Sequence, residues 1–311
     1  MNVIYDIENW NVEAVVATIG FFDGVHPGHR FLLDEMIDVS KKRGLPSAII
    51  TFSTHPRVVL HSDYQPKLLN SFDEKIELLS KTGVDYIVVV DFTTELASLT
   101  AREFITGVLA AKLHVMTLLI GYDHRFGYQR VEGFEHYVIY GRECGMDVVM
   151  ASSYSDKGLI VSSSVVRSLI GSGDVATASQ LLGYPYHLKG HVVDGQKLGR
   201  SIGFPTANIA VDERFKVIPY YGSYAVRIII DGKRHDGMLY VGPRPTLNDD
   251  DVVSIEANIF DFSDDIYGQK VTVEFVDFIR EDMKFESIDE LVTQMRADKQ
   301  KAEKRLLRSY Q

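Results

Sequence analysis

Short apolar runs alternate with amphipathic stretches through the first half of the chain. Residues 14–19 form a β-rich run that ends at Gly20. From Pro27 to Arg43, Leu32, Leu33, Met36 and Ile37 recur at helical spacing on one face. Residues 47–52 read as the next strand. Ser71 and Glu74 have the spacing of a capping box, ahead of a helix ending near Gly83. Residues 86–90 read as a buried strand, and Thr100 with Glu103 gives a second capping box for a helix reaching about Leu113. Residues 115–120 and 146–150 complete the strands. Strands that alternate with helices of this length predict βαβ crossovers, and so a parallel sheet covered on both faces.

The pattern changes near Gly183. Two short helices, over 164–170 and 175–182, give way to period-two alternation at 224–230, 235–241, 254–260 and 271–278. Turn signals at Asp231-Gly232 and Asn248-Asp249 separate these runs. Consecutive strands without helices between them predict an antiparallel barrel or sandwich. A final helix is capped by Ser287 and Glu290, with Ile288, Leu291, Val292, Met295, Ala302 and Leu306 as its apolar stripe. The reading is an α/β region over 1–183 followed by a β-rich region with a terminal helix over 184–311.

Composition narrows the function classes. In 311 residues, 45% are hydrophobic and 24% charged, as in an ordinary globular protein. The net charge of −10 lacks the basic excess of an extended nucleic-acid footprint. The first ten residues hold two acids and no base, unlike a secretory leader, and no apolar run is long enough to span a bilayer. One cysteine, Cys144, excludes an intramolecular disulfide, and a reducing cytoplasmic setting is expected. Neither an HExxH helix nor a CxxC pair occurs among the ten histidines and the lone cysteine, so structural zinc is not expected.

The sharpest local signal is GFFDGVHPGH over residues 20–29, between a predicted strand and a predicted helix. A helix start offers backbone N–H groups and a positive dipole end, which suits polyphosphate. Gly28 would let a nucleotide lie close to the backbone. His26 and His29, in the first turn, would donate hydrogen bonds to charge that grows during attack on phosphorus. Alone, the histidines read equally well as surface residues at a turn. A second signal, SSSVVR over 162–167, gives Ser162, Ser163, Ser164 and Arg167 before a helix, suited to leaving pyrophosphate or simply to capping. In the second half, GHVVDGQKLGRSIGFPTAN over 190–208 has the spaced glycines, Lys197 and Arg200 of a loop that closes over phosphates. Thr206 and Asn208, two apart on an extended segment, offer neutral oxygens to Mg²⁺ alongside ATP, or form a buried polar pair. No GxxxxGK[ST] is present, so this is not a P-loop.

The histidine and serine motifs together resemble the adenylyltransferase superfamily of nucleotidyltransferases. With TFSTHPR over 51–57, Glu74-Lys75 and GYDHRFG over 121–127, the chain resembles the bacterial bifunctional riboflavin kinase/FAD synthetases. PTAN over 205–208, GSY over 222–224, GPRPT over 242–246 and DIYG over 265–268 extend that resemblance through the second half. It implies a Rossmann-like nucleotidyltransferase domain followed by a Greek-key β-barrel with a terminal helix. ATP would be held by Gly20, Phe21, Asp23, Gly24, Gly28 and the 162–167 segment in the first domain, and by Gly199, Arg200, Thr206 and Asn208 in the second. FMN would lie near Phe52, His55, Pro56, Arg57, Asp123, Arg125 and Phe126. Glu256 matches the family's catalytic glutamate; without the resemblance it reads as a charged residue on a strand's polar face. Thr54, His124 and Ser164 depart from the usual Pro, Phe and Thr. The implied reactions convert riboflavin to FMN and FMN to FAD, with Mg²⁺ and ATP in both. No nucleic-acid or membrane partner is expected, and self-association is left open. A flavin-sensing regulator is the contrasting reading, and Glu256 beside Thr206 and Asn208 argues for chemistry instead.

Overall fold

A computed structural model describes residues 1–60, 63, 65–122, 124–154, 161–195, 199, 202–243 and 253–308. The chain divides into two compact units, Met1–Ser163 and Ser164–Gln311.

The first unit is built on β1 (Asn2–Ile4), β2 (Val15–Ile19), β3 (Ser47–Phe52), β4 (Tyr86–Val90), β5 (Val115–Ile120) and β6 (Asp147–Met150). They form one sheet in the order β1-β4-β3-β2-β5-β6, and every pairing is parallel. Its inner strands are apolar on both faces because both faces are covered. Ala17, Ile50, Val88 and Leu118 enter one core, and Val16, Ile49, Ile87 and Leu119 enter the other. Leu33 and Met36 of α1 (Pro27–Arg43) and Leu79 of α3 (Phe72–Ser80) close the second core. Each such side chain is worth roughly 1.5–3 kcal/mol when fully buried. Between α1 and α3 lies α2 (Pro56–Leu60).

Local chemistry sets the helix ends. α1 stops at Gly44, whose φ of 67° lets its N–H reach back to Ser40 and Lys41 carbonyls. In α3 the predicted capping box forms: Ser71 N–H donates to Glu74 Oε2 at 2.9 Å, and Glu74 N–H donates to Ser71 Oγ at 3.2 Å. α4 (Thr94–Ser98) precedes α5 (Ala101–Glu103). The single helix expected over 100–113 is only partly α-helical. After α5 it continues as a π-helix over Phe104–Ala110. Buried positions 104, 105, 108 and 109 fit either winding, so periodicity could not distinguish them. α6 (Phe134–Glu143) leads to β6.

α7 (Ser163–Gly171) and α8 (Val175–Leu182) lead to six antiparallel strands. These are β7 (His187–Val193), β8 (Ala207–Val211), β9 (Gly222–Ile230), β10 (Lys233–Pro243), β11 (Val253–Ile259) and β12 (Lys270–Glu281). They close into a barrel in the order β10-β11-β8-β7-β12-β9. Asp231 (φ 47°) and Gly232 (φ 75°) make the two-residue turn from β9 to β10, as hairpin twist requires. The expected turn at Asn248-Asp249 lies outside the described residues. α9 (Ile288–Arg308) packs Ala302 and Leu306 on Ala225 and Met238 of the barrel wall. β1, β7 and β8 were not foreseen. In β7, His187, Lys189 and His191 interrupt the apolar positions and mask the strand.

Candidate active sites

In the first sheet, β3, β4 and β1 lie on one side of β2, with β5 and β6 on the other. The order therefore reverses between β2 and β5, and ligands of open α/β sheets bind outside the carboxyl ends of strands at such a point. The 20–29 segment leaves β2 there. Phe22 (φ 56°) and Val25 (φ 37°) adopt left-handed backbone, which costs non-glycine residues of order 1–3 kcal/mol each. Both side chains are buried in the α1 core, and that burial offsets the strain. Asp23 Oδ1 accepts from Leu69 N–H at 2.9 Å and Asn70 N–H at 3.3 Å, and its carbonyl accepts from Ser163 Oγ at 2.8 Å. Asp23 thus shapes the loop and ties it to Ser163.

Within the loop itself, the glycines make room for rings. A Cβ on Gly28 would stand 3.2 Å from the His26 ring, and one on Gly20 would stand 3.0 Å from the Phe22 ring. The room they leave is taken by the loop's own rings. At the start of α1, Pro27 has no N–H, and His29 N–H donates to His26 Nδ1 at 3.3 Å. The donors this turn could offer an anion are therefore Gly28 N–H and the two imidazoles. These stack with centroids 3.7 Å apart at 16°. His26 accepts at Nδ1, so in its neutral form the proton is on Nε2. Burial, then the neighbouring His26 and His124, hold the His29 pKa well below its usual value. Among the described residues, buried His29 Nδ1 has no hydrogen-bond partner.

This has a consequence for stability. An unfolded histidine takes up a proton below about pH 6.5, whereas folded His29 resists it, so stability rises with pH between the folded and unfolded pKa values. On going from pH 7 to pH 5, the native protein should lose more stability than His29→Gln. Urea melts of both at the two pH values check this; equal losses would remove His29 as the source.

Of the residues implied for FMN, Phe52 and Phe126 line one small cavity of about 60 Å³ with Phe92, Leu96, Leu99 and Phe104. Phe126 stacks on Tyr137 at 4.3 Å and 14°. Ligand pockets run to roughly 300–1,000 Å³, so a flavin ring enters only if these side chains part. His55 meets the edge of Phe21 at 4.7 Å and accepts from Arg57 N–H through Nδ1 at 3.2 Å, while Pro56 opens α2. Arg57 and Arg125 are exposed. Asp123 lies outside the described residues. Ser162 and Ser163 are half-buried, Ser164 is exposed, and Arg167 Nη2 donates to Ser164 Oγ at 3.4 Å. Lys75, given no site role from its spacing, is buried beneath Phe21.

In the barrel, Glu256 of β11 stands directly between Asn208 of β8 and Tyr240 of β10. Directly opposed residues share a face. Glu256 Oε2 accepts from Thr206 Oγ1 at 3.4 Å, and Oε1 accepts from Ser254 Oγ at 3.0 Å. Ser254, two residues before Glu256 and so on the same face, was legible from strand period but not singled out. Tyr240 OH donates to Asp282 Oδ1 at 2.8 Å across space that Gly242 leaves open. Pro205 and Thr206 border a cavity of about 520 Å³ that also includes Val192, Ala257, Ile259, Phe262 and Tyr267. A Cβ on Gly199 would lie 2.3 Å from the Phe204 carbonyl oxygen and 3.1 Å from Thr206 Oγ1. Arg200 and Lys197 lie outside the described residues.

Gly195 abuts Asn208: a Cβ there would stand 2.0 Å from Asn208 Nδ2 and 2.5 Å from its Cγ. Gly195→Ala should therefore turn the Asn208 amide aside without breaking a strand. Misplacement of about 1 Å can cost on the order of 10²-fold in rate, and a loss of that order is expected in any phosphoryl transfer that uses Asn208. Circular dichroism of the variant should match the parent. A fully active Gly195→Ala would show that the Asn208 orientation is immaterial.

Comparison with known proteins accounts for both halves. The FAD synthetase family model matches residues 8–165, and the riboflavin kinase model matches residues 182–306. A bifunctional riboflavin kinase/FMN adenylyltransferase of Listeria monocytogenes is 37% identical over 294 residues, covering 94% of this chain and 93% of that protein. One from Escherichia coli is 36% identical over 296 residues, covering 95% and 94%. The chain belongs to the bifunctional riboflavin kinase/FMN adenylyltransferase family. As a member, it phosphorylates riboflavin with ATP to FMN and transfers AMP from ATP to FMN, giving FAD and pyrophosphate. A Streptococcus pneumoniae crystal structure titled as a macrolide-efflux protein is also similar, with 32% identity and a TM-score of 0.85, covering 96% of this chain and 97% of that one. Among the described residues of this family member, no helix is long and apolar enough to cross a membrane.

Proposed function

We propose that phosphorylation of riboflavin takes place at Glu256, Thr206 and Asn208, within a kinase domain over 184–311. The observation that carries this reading is a carboxylate within 3.4 Å of a threonine hydroxyl and directly across the ladder from an asparagine. Glu256 takes the proton of the terminal ribityl hydroxyl as that oxygen bonds to the γ-phosphorus of ATP, and the bond to the β-phosphate oxygen breaks to release ADP. Oxygen donors of this kind suit Mg²⁺. Thr206 and Asn208 would hold Mg²⁺ with the ATP phosphates, and the ion would neutralise charge on the group in transfer. Gly199 and Arg200 serve the same phosphates, and the cavity beside Thr206 takes the nucleoside.

Adenylyl transfer is assigned to residues 1–183. A phosphate oxygen of FMN attacks the α-phosphorus of ATP, and pyrophosphate leaves. His26 and His29 donate to the phosphoryl oxygens as charge grows on them. Gly20, Phe21, Asp23, Gly24 and Gly28 build the loop that presents these rings, and Ser162, Ser163, Ser164 and Arg167 receive the leaving phosphates. Phe52, His55, Pro56, Arg57, Asp123, Arg125 and Phe126 receive FMN.

Asn208→Ala tests the metal assignment. Titrating Mg²⁺ against FMN formation should show a raised requirement, because one oxygen ligand is gone. The adenylyl step from FMN should keep its Mg²⁺ dependence. An unchanged requirement in the kinase step would remove Asn208 from the metal site.

A further inference from the structure

Lys75, on the first turn of α3, is 3% exposed. Its Nζ donates to the Phe52 carbonyl, at the end of β3, at 2.8 Å. The same ammonium stands 4.1 Å from the centre of the Phe21 ring and 5.3 Å from that of Phe72. Phe21 follows β2, and the two strands are neighbours. One cation on α3 thus joins the segments that leave the carboxyl ends of both. With one oxygen acceptor and two aromatic faces among the described residues, this is a costly place for a charge. Burial pushes the ammonium down to about 8, against the pull of nearby Asp23. An apolar side chain would fill the site at less cost, so stability alone does not account for the lysine.

What the charge supplies is direction. A cation over a ring fixes the face of that ring, whereas apolar packing leaves it freer to tilt. Phe21 turns one face to Lys75 and meets the His55 ring edge-to-face at 4.7 Å. Phe52, whose carbonyl Lys75 holds, lines the aromatic cavity with Phe126. Thr51 Oγ1 adds a bond to the Phe21 carbonyl at 3.4 Å. We propose that Lys75 is a positioning residue for adenylyl transfer, its ammonium fixing the Phe21 ring and the Phe52 carbonyl so that the FMN-receiving side chains keep one arrangement. This rests on the assignment of Phe52 and His55 to FMN.

The test uses the full chain with Lys75→Met, Lys75→Arg and His55→Ala. KM for FMN, KM for ATP and kcat of FAD formation are measured alongside riboflavin phosphorylation and a thermal melt. In Lys75→Met, KM for FMN should rise about tenfold, with kinase rate unchanged and Tm equal or higher. Lys75→Arg, which keeps a cation for the ring, should recover most of that loss. The proposal is overturned if folded Lys75→Met keeps the parental KM for FMN while His55→Ala raises it. It is equally overturned if the loss follows a lower Tm, spreads to KM for ATP, or is no smaller in Lys75→Arg. If His55→Ala also leaves KM for FMN unchanged, the FMN assignment itself falls, and the positioning role falls with it.

Discussion

Glu256→Gln should leave riboflavin and ATP binding intact while riboflavin phosphorylation falls by about 10²–10⁴-fold, the usual range for a general base. Glutamine keeps the size of the side chain; its amide oxygen can still accept from one of the Thr206 and Ser254 hydroxyls, and the other hydroxyl can turn to accept from its amide N–H, so the strand environment should survive. What is lost is the carboxylate proposed to receive the hydroxyl proton. The adenylyl step begins from a phosphate oxygen already ionised near neutral pH and needs no such base. Supplied with FMN, the variant should make FAD at close to the parental rate; supplied with riboflavin, almost none. Separating the flavins by chromatography after each incubation reads both. Normal FMN formation would return Glu256 to the status of a polar strand residue. Loss of FAD formation from FMN would show that the two activities are not independent.

His29→Ala should have the converse effect, cutting FAD formation from FMN by roughly 10²–10³-fold, as expected for loss of one donor to developing charge. Kinase activity should persist. The substitution also removes a ring that stacks on His26 at 3.7 Å and meets Phe22 at 5.3 Å, so part of the effect will come from loosening the loop. His29→Gln separates the contributions, since it restores a donor without the stack. A loss of only a few-fold in both variants would leave His29 as packing.

Much of this was legible in the sequence wherever the determinant is local. Both capping boxes, the turn at Asp231-Gly232 and the inner strands of the first sheet follow from neighbours a few residues apart. The His26–His29 stack follows from a spacing of three on one helix turn. Determinants that depend on distant pairing were hidden. The backbone donors held by Asp23 lie 46 and 47 residues away, so its loop-shaping role was invisible and a phosphate role was the natural reading. Glu256 gains its meaning only when β8 pairs with β11, bringing Asn208 beside it. Family resemblance supplied that assignment where pattern could not. Lys75 entered only as part of the Glu74-Lys75 motif, because its ring partner, Phe21, lies 54 positions earlier.

The two kinds of sheet differ in their exposure to intermolecular association. Closure of the barrel gives each of its strands two neighbours within the chain and leaves no margin for a second molecule to extend. The open sheet has two margins, and they are formed by its shortest strands, three residues in β1 and four in β6. β6 also begins at Asp147, which is paired with Arg43 at 2.7 Å. Short, charged margins offer too few free peptide groups to template a growing stack of chains. Resistance to aggregation in this half therefore depends on how little strand is left unpaired, and an apolar extension of β6 in place of Asp147 would be the change most apt to erode it.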